Sequence, residues 1–112
     1  MWFKIEKITM NKEILQEISQ SIYNIAPWAK PILYGSEARG ESSKDSDIDI
    51  LILVPDTMQK DFNAIKSKIQ DELYLLELKH DKFISPLILL QNTWNQRKTP
   101  FTLNVEKDGI SL

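Results

Sequence analysis

The 112-residue chain contains no cysteine, which removes disulfides, thiolate zinc centres and cysteine nucleophiles from consideration. Its single histidine, His80, cannot by itself form a histidine metal cluster. A basic excess is also missing: 14 Lys and Arg face 16 Asp and Glu, a formal net charge of −2. Proteins that bind nucleic acid by broad phosphate neutralisation are basic, so general nucleic-acid binding is not expected. No apolar run approaches the roughly 20 residues that a membrane helix requires. The opening stretch M-W-F-K-I-E-K-I is too short and too charged for a signal peptide. A cytoplasmic protein without membrane attachment is the expectation. Repeats, low-complexity tracts and Gly/Ser linkers are absent as well, which predicts one domain over residues 1–112.

What is present suits a modest globular core. Hydrophobic residues make up 42% and charged residues 27%, a balance that argues against disorder. Residues 1–8 alternate weakly and read as a short edge strand or a loose arm. Ile14, Leu15, Ile18, Ile22 and Ile25 recur at helical spacing, predicting a helix over 12–25 with Asn11 as cap and Pro27 as terminator. Pro31 to Tyr34 reads as a short strand, and Asp47 to Val54, rich in β-branched residues, as a second. Asp56 with Gln59 resembles a capping box. The helix after it places Met58, Phe62, Ile65, Ile69, Leu73 and Leu76 three or four residues apart, so one face packs on a sheet.

Residues 83–90 predict a third strand, and Pro86 gives it an edge position or a bulge. A short helix is expected around Trp94. Thr99-Pro100 then opens another, Gly109 stops it, and Ile110 to Leu112 add a last short strand. The order predicts an α/β (α+β) fold, a small mixed β-sheet with helices packed mainly on one face. Its strand–helix–strand portion, 47–90, should form a parallel crossover.

Chemistry concentrates in residues 35–49, G-S-E-A-R-G-E-S-S-K-D-S-D-I-D, between two apolar segments. On a strand Asp47 and Asp49 point to one face, with Ile48 and Ile50 on the other. Paired carboxylates of this kind either cap a strand in solvent or hold a hard cation such as Mg²⁺ or Mn²⁺. Gly35-Ser36 follows a strand and precedes a helix start. It is either an ordinary turn or a place where backbone N–H groups approach an anion. Arg39, one helical turn on, either holds a phosphate or pairs with Glu37 or Glu41 at the surface. Gly40 ends the short helix. Asp45, Asp47 and Asp49 also mimic the opening of a calcium loop, but Ile50 stands where that loop needs glycine.

Taken together, strand, Gly35-Ser36-Glu37-Ala38-Arg39-Gly40, turn and Ser46-Asp47-Ile48-Asp49 resemble the nucleotidyltransferase superfamily that includes DNA polymerase β. The resemblance is closest to its minimal nucleotidyltransferases, whose signature is G-S-x-A-R-G followed by S-D-x-D. Ten residues separate Ser36 from Asp47, a usual spacing in that family, and the tail W-N-Q-R-x-T-P-F is also similar. The resemblance implies a palm-like core, Gly35 and Ser36 gripping the triphosphate of a nucleotide, ATP first among them, and Asp47 and Asp49 binding Mg²⁺, with Mn²⁺ as the alternative. It also implies transfer of AMP to an acceptor, with a HEPN-domain toxin as partner and its tyrosine as acceptor. The chain then acts as antitoxin.

Such transferases usually carry a third carboxylate on the next core strand. Ser85 stands at that position here, and a hydroxyl does not take up a proton near neutral pH. Asp81 and Glu77 are the nearest acids, each either a substitute or a solvated charge. The missing acid favours an alternative, a nucleotide- or partner-binding module without transfer. His80, Trp2, Trp28, Trp94 and Phe101 read as surface or packing residues rather than site residues.

Overall fold

The computed structural model describes residues 11–41 and 46–112. The weakly alternating stretch 1–8, Trp2 and Asp45 lie outside the described residues.

The first helix, α1, spans Lys12–Ile25 and buries Ile14, Leu15, Ile18 and Ile22 on one stripe. Asn11 stands at its N-cap, but the side chain makes no cap hydrogen bond. Its amide donates instead to Glu37 Oε2 at 2.9 Å. The expected cap is therefore replaced by a tertiary contact.

Strand β1, Lys30–Tyr34, runs without a break into a single-turn helix, α2, Gly35–Ala38. Strand β2, Ile48–Val54, is followed by a 3₁₀ segment, Asp56–Asp61, and by the 19-residue helix α3, Phe62–His80. No side-chain cap forms in the 3₁₀ segment. Asp56 Oδ1 accepts from the backbone N–H of Asn92 at 3.2 Å, so the expected Asp56–Gln59 capping box is absent. The carboxylate ties two segments together rather than closing its own turn.

Strand β3 is Ile84–Leu90, helix α4 is Gln91–Asn95, helix α5 is Pro100–Asp108 and strand β4 is Ile110–Ser111. Gly109 ends α5 with an ordinary negative φ. It is needed for space: a Cβ there would meet Val105 O at 2.5 Å and Ile32 Cγ2 at 2.8 Å.

The four strands lie in the order β3-β2-β1-β4, with β2 and β3 parallel and the other pairs antiparallel. Alternation along β2 divides the core. Ile48, Ile50, Ile52 and Val54 face α1 and α3 in the larger cluster, with Leu33, Ile69 and Leu73. Leu51 and Leu53 face the other way, against Trp94 of α4 and Val105 of α5. Two long helices thus cover one face and two short ones cover part of the other. The sheet is mixed as expected, with the helical mass mainly on one side. Asp49 is the one β2 residue not buried, because it shares the face of Leu51 and Leu53 at the end that α4 and α5 leave open.

Among the described residues β3 is an edge strand, as Pro86 requires. Ile48 N–H donates to Phe83 O, so alternation points the nitrogens of Ile84 and Pro86 outward. Glu77 Oε2 accepts from the first at 2.8 Å, and proline has no N–H. The edge is blunted against pairing with another strand.

Candidate functional site

The antiparallel register of β1 on β2 assembles the site. Tyr34 lies directly opposite Asp49, so the next residue, Gly35, arrives over that carboxylate. Gly35 has φ +76°, and a Cβ on it would lie 2.7 Å from Asp49 Oδ2. Both facts demand glycine, one by backbone conformation and the other by lack of room. The chain then enters α2, which ends in a closed motif. Gly40, at φ +73°, donates to Glu37 O at 3.2 Å, and Glu41 donates to Ser36 O at 2.9 Å. This paired 5→2 and 6→1 pattern is a Schellman ending. Gly40 therefore stops the helix as expected.

The strand begins one residue later than expected, at Ile48, so Asp47 stands just ahead of it, near enough for its charge to act on Asp49. Asp47 is exposed and Asp49 half-buried. Partial burial, followed by the like charge of Asp47, raises the pKa of the Asp49 carboxyl above its ordinary value. Burial and the nearby Asp49 charge also raise that of the Tyr34 phenol. A carboxylate whose ionisation is disfavoured by burial and by a like charge beside it is a donor that a hard cation relieves. The residues present fit Mg²⁺ arriving with substrate phosphates, since one or two carboxylates suffice when phosphate oxygens and water complete the shell. Among the described residues, no group of three His, Asp or Glu side chains converges as a metal cluster.

The neighbouring strand places Ser85 beside Asp49 in register, on the same face. Of the two nearby acids, one carboxylate is committed elsewhere. Glu77 receives the Ile84 N–H. Asp81, exposed and at φ +51°, forms the left-handed end of α3, its N–H donating to Glu77 O. His80 lies at the α1–α3 junction, where it and Lys79 pair with Glu17. It is more enclosed than an ordinary surface histidine, and it belongs to that junction rather than to the Asp49 face.

Arg39 pairs with Glu41, Nε to Oε1 at 3.0 Å, which is the surface alternative with the second of its two candidates. Glu37 is not a surface acid. It is wholly buried, bonded to Asn11 through Oε2, and its Oε1 has no hydrogen-bond partner among the described residues. Local spacing could not find this, because Glu37 meets a partner, Asn11, that lies 26 residues away in the chain. Sequence reasoning also missed α5 as a neighbour of the site. Phe101 sets its ring edge-on to Tyr34, with centroids 5.5 Å apart. A cleft of about 180 Å³ between them includes Gly35, Arg39, Asn104 and Asp108.

The model of the nucleotidyltransferase domain family matches residues 9–106. The chain belongs to the nucleotidyltransferase domain family. A Methanocaldococcus jannaschii protein named "Putative protein adenylyltransferase MJ0141" is 35% identical over 104 residues, spanning 89% of this chain and 96% of that protein. A crystal structure titled as a "putative nucleotidyltransferase" from Sulfolobus solfataricus superposes with a TM-score of 0.61 at 17% identity, over 96% of this chain and 84% of that one. At that identity the likeness speaks for the fold, and it agrees with the mixed sheet and its helices. As a nucleotidyltransferase the protein acts on a nucleotide, and members of the family generally use divalent metal ions. Among the described residues no helix is long and apolar enough to cross a membrane.

Proposed function

We propose that this nucleotidyltransferase, acting as one domain in the cytoplasm, transfers AMP from ATP to a hydroxyl on an acceptor protein and releases pyrophosphate. The approach of Gly35 to Asp49 carries the reading, because it sets an anion-accepting turn directly over an acidic pair. Backbone N–H groups of the turn and the Ser36 hydroxyl hold the β- and γ-phosphates, with Arg39 adding positive charge. Asp47 and Asp49 hold Mg²⁺, or Mn²⁺ in its place, which neutralises the triphosphate and favours the attacking oxygen. The acceptor oxygen bonds to the α-phosphorus, the α–β bridging bond breaks, pyrophosphate leaves with the electron pair, and the acceptor's proton passes to solvent.

The acceptor follows from resemblance: a HEPN-domain partner, modified on tyrosine, with this chain as its antitoxin. The name of the Methanocaldococcus relative supports a protein as acceptor. Calorimetric titration of ATP and GTP with Mg²⁺, on the wild type and on Asp47→Ala/Asp49→Ala, tests the site. Magnesium-dependent binding should be present in the first and lost in the second. No binding by folded wild type at millimolar nucleotide would sink the reading.

A second reading has its own observation. Ser85, in register with Asp49, supplies no carboxylate where transferases of this superfamily usually have one. In that case the chain binds nucleotide and partner without transferring. Nucleotide-dependent heat stabilisation with no pyrophosphate release, partner present, would select it.

A further inference from the structure

The phosphate and metal positions account for Gly35, Ser36, Asp47 and Asp49 but leave a built feature beside them unused. The cleft between β1, α2 and α5 opens next to Gly35 and measures about 180 Å³. That is below the roughly 300–1,000 Å³ typical of a site for a whole drug-sized ligand. It suits one ring system, not an entire nucleotide.

Its walls are of two kinds. Tyr34, Phe101 and Val105 present apolar surface, and the Tyr34 and Phe101 rings stand nearly perpendicular, at 82°. Phe101 is 39% exposed, and the Tyr34 ring is half-buried. Asn104 and Asp108 add an amide and a carboxylate, both from α5. Their spacing of four residues puts them on one face of that helix. An amide both donates and accepts, whereas an ionised carboxylate only accepts.

We propose that this cleft seats the nucleobase of the triphosphate, and that Asn104 and Asp108 select a purine carrying an exocyclic amino group. The inference rests on the transfer reading above, since it needs the phosphates at Gly35 and Ser36. Such a base meets both wall types. Its flat rings lie against the aromatic pair, and its amino hydrogens bond the Asp108 carboxylate. A ring nitrogen or carbonyl accepts from Asn104. Uracil offers no amino group and hypoxanthine has lost the one adenine carries, so either would leave the carboxylate desolvated and short of a donor. A slightly larger cavity, about 210 Å³ between α3 and Phe83, includes none of the residues of the Gly35 turn.

The test is calorimetric titration with ATP, ITP, UTP and inorganic tripolyphosphate, each with Mg²⁺. It is run on the wild type, Asn104→Ala and Asp108→Ala, with circular dichroism to confirm folding. The wild type should prefer ATP over ITP and UTP by about tenfold or more, the discrimination expected of one good base-edge contact. Each substitution should bring the three nucleotides to within about twofold, with tripolyphosphate binding unchanged. Equal binding of ATP, ITP and UTP to the wild type would overturn the inference while leaving the phosphate site intact. So would a preference that survives both substitutions. No binding of any of the four ligands by folded wild type would overturn the transfer reading and this inference with it.

Discussion

Gly35 bears two constraints at once, and a single methyl group tests both. In Gly35→Ala the new Cβ would sit at 2.7 Å from Asp49 Oδ2 on a backbone with φ +76°. The left-handed conformation alone costs an L-residue about 1–2 kcal/mol. Urea denaturation should show a loss of at least that size. Magnesium-dependent ATP affinity should fall about tenfold or more, because the displaced carboxylate is one of the two proposed to hold the metal. Unchanged affinity would mean that the turn and Asp49 act separately.

Asp49 itself predicts the opposite stability change. A carboxyl whose pKa is raised by burial and by Asp47 is held more readily protonated in the folded state than in the unfolded one. At neutral pH it is ionised at a cost, and that cost disappears as pH falls through its folded pKa. Asp49→Asn should therefore melt no lower than the wild type in chelator, and higher if repulsion dominates. It should lose the rise in melting temperature that MgATP is expected to give the wild type. A lower melting temperature in chelator would show that the carboxylate is structurally required.

At the level of elements, α5 matters more than its length suggests. Its N-terminus is a reciprocal cap. Thr99 Oγ1 accepts from the Thr102 N–H at 3.2 Å, and Thr102 Oγ1 accepts from the Thr99 N–H at 3.1 Å. Pro100 occupies the first helical position, where its missing N–H costs nothing. Thr99→Ala should cost about 0.5–2 kcal/mol, read from the urea midpoint. Because Phe101 follows within the first turn, the same change should raise hydrogen exchange along α5. No stability change would mean that packing of Val105 holds α5 without its cap.

The element boundaries that were legible in the sequence share this local character. Pro27 and Pro55 mark where α1 and β2 stop, and Thr99-Pro100 with Gly109 mark the two ends of α5. The two local readings that failed, Asn11 and Asp56, failed for one reason: a distant partner competed for the same side chain. Glu37 takes Asn11, and the Asn92 N–H takes Asp56.

For the whole molecule, α1 and α3 form the back of the sheet, and Glu17 clasps them through Lys79 and His80. Hydrogen bonds from Lys79 and, secondly, His80 hold the Glu17 carboxyl below its ordinary pKa. A depressed carboxyl contributes stability above its unfolded pKa of about 4.3. The contribution is lost as pH falls through the lower folded value. Glu17→Gln should thus be less stable than the wild type at neutral pH and approach it at acid pH. Melting temperatures measured from pH 7 down to 3 check this. A constant gap across that range would assign the effect to packing. The contact is exposed at Lys79, so the difference should also shrink with added salt.

By itself the sequence determined the strands and long helices, the Gly35-Ser36 turn and the acidic pair, because each is written in short-range periodicity and spacing. A two-residue repeat puts Asp49, Leu51 and Leu53 on one face of β2 whatever surrounds them. Tertiary structure alone decided that Tyr34 and Asp49 would lie opposite, which brings Gly35 onto the carboxylate. It also decided that Ser85 would flank Asp49 on its other side, that Glu37 would be buried, and that α5 would wall the cleft. Each depends on strand register or on packing between segments as far apart as Gly35 and Asp108. Such contacts form because burial of apolar faces selects one arrangement of the whole sheet, and no local run of residues encodes that choice.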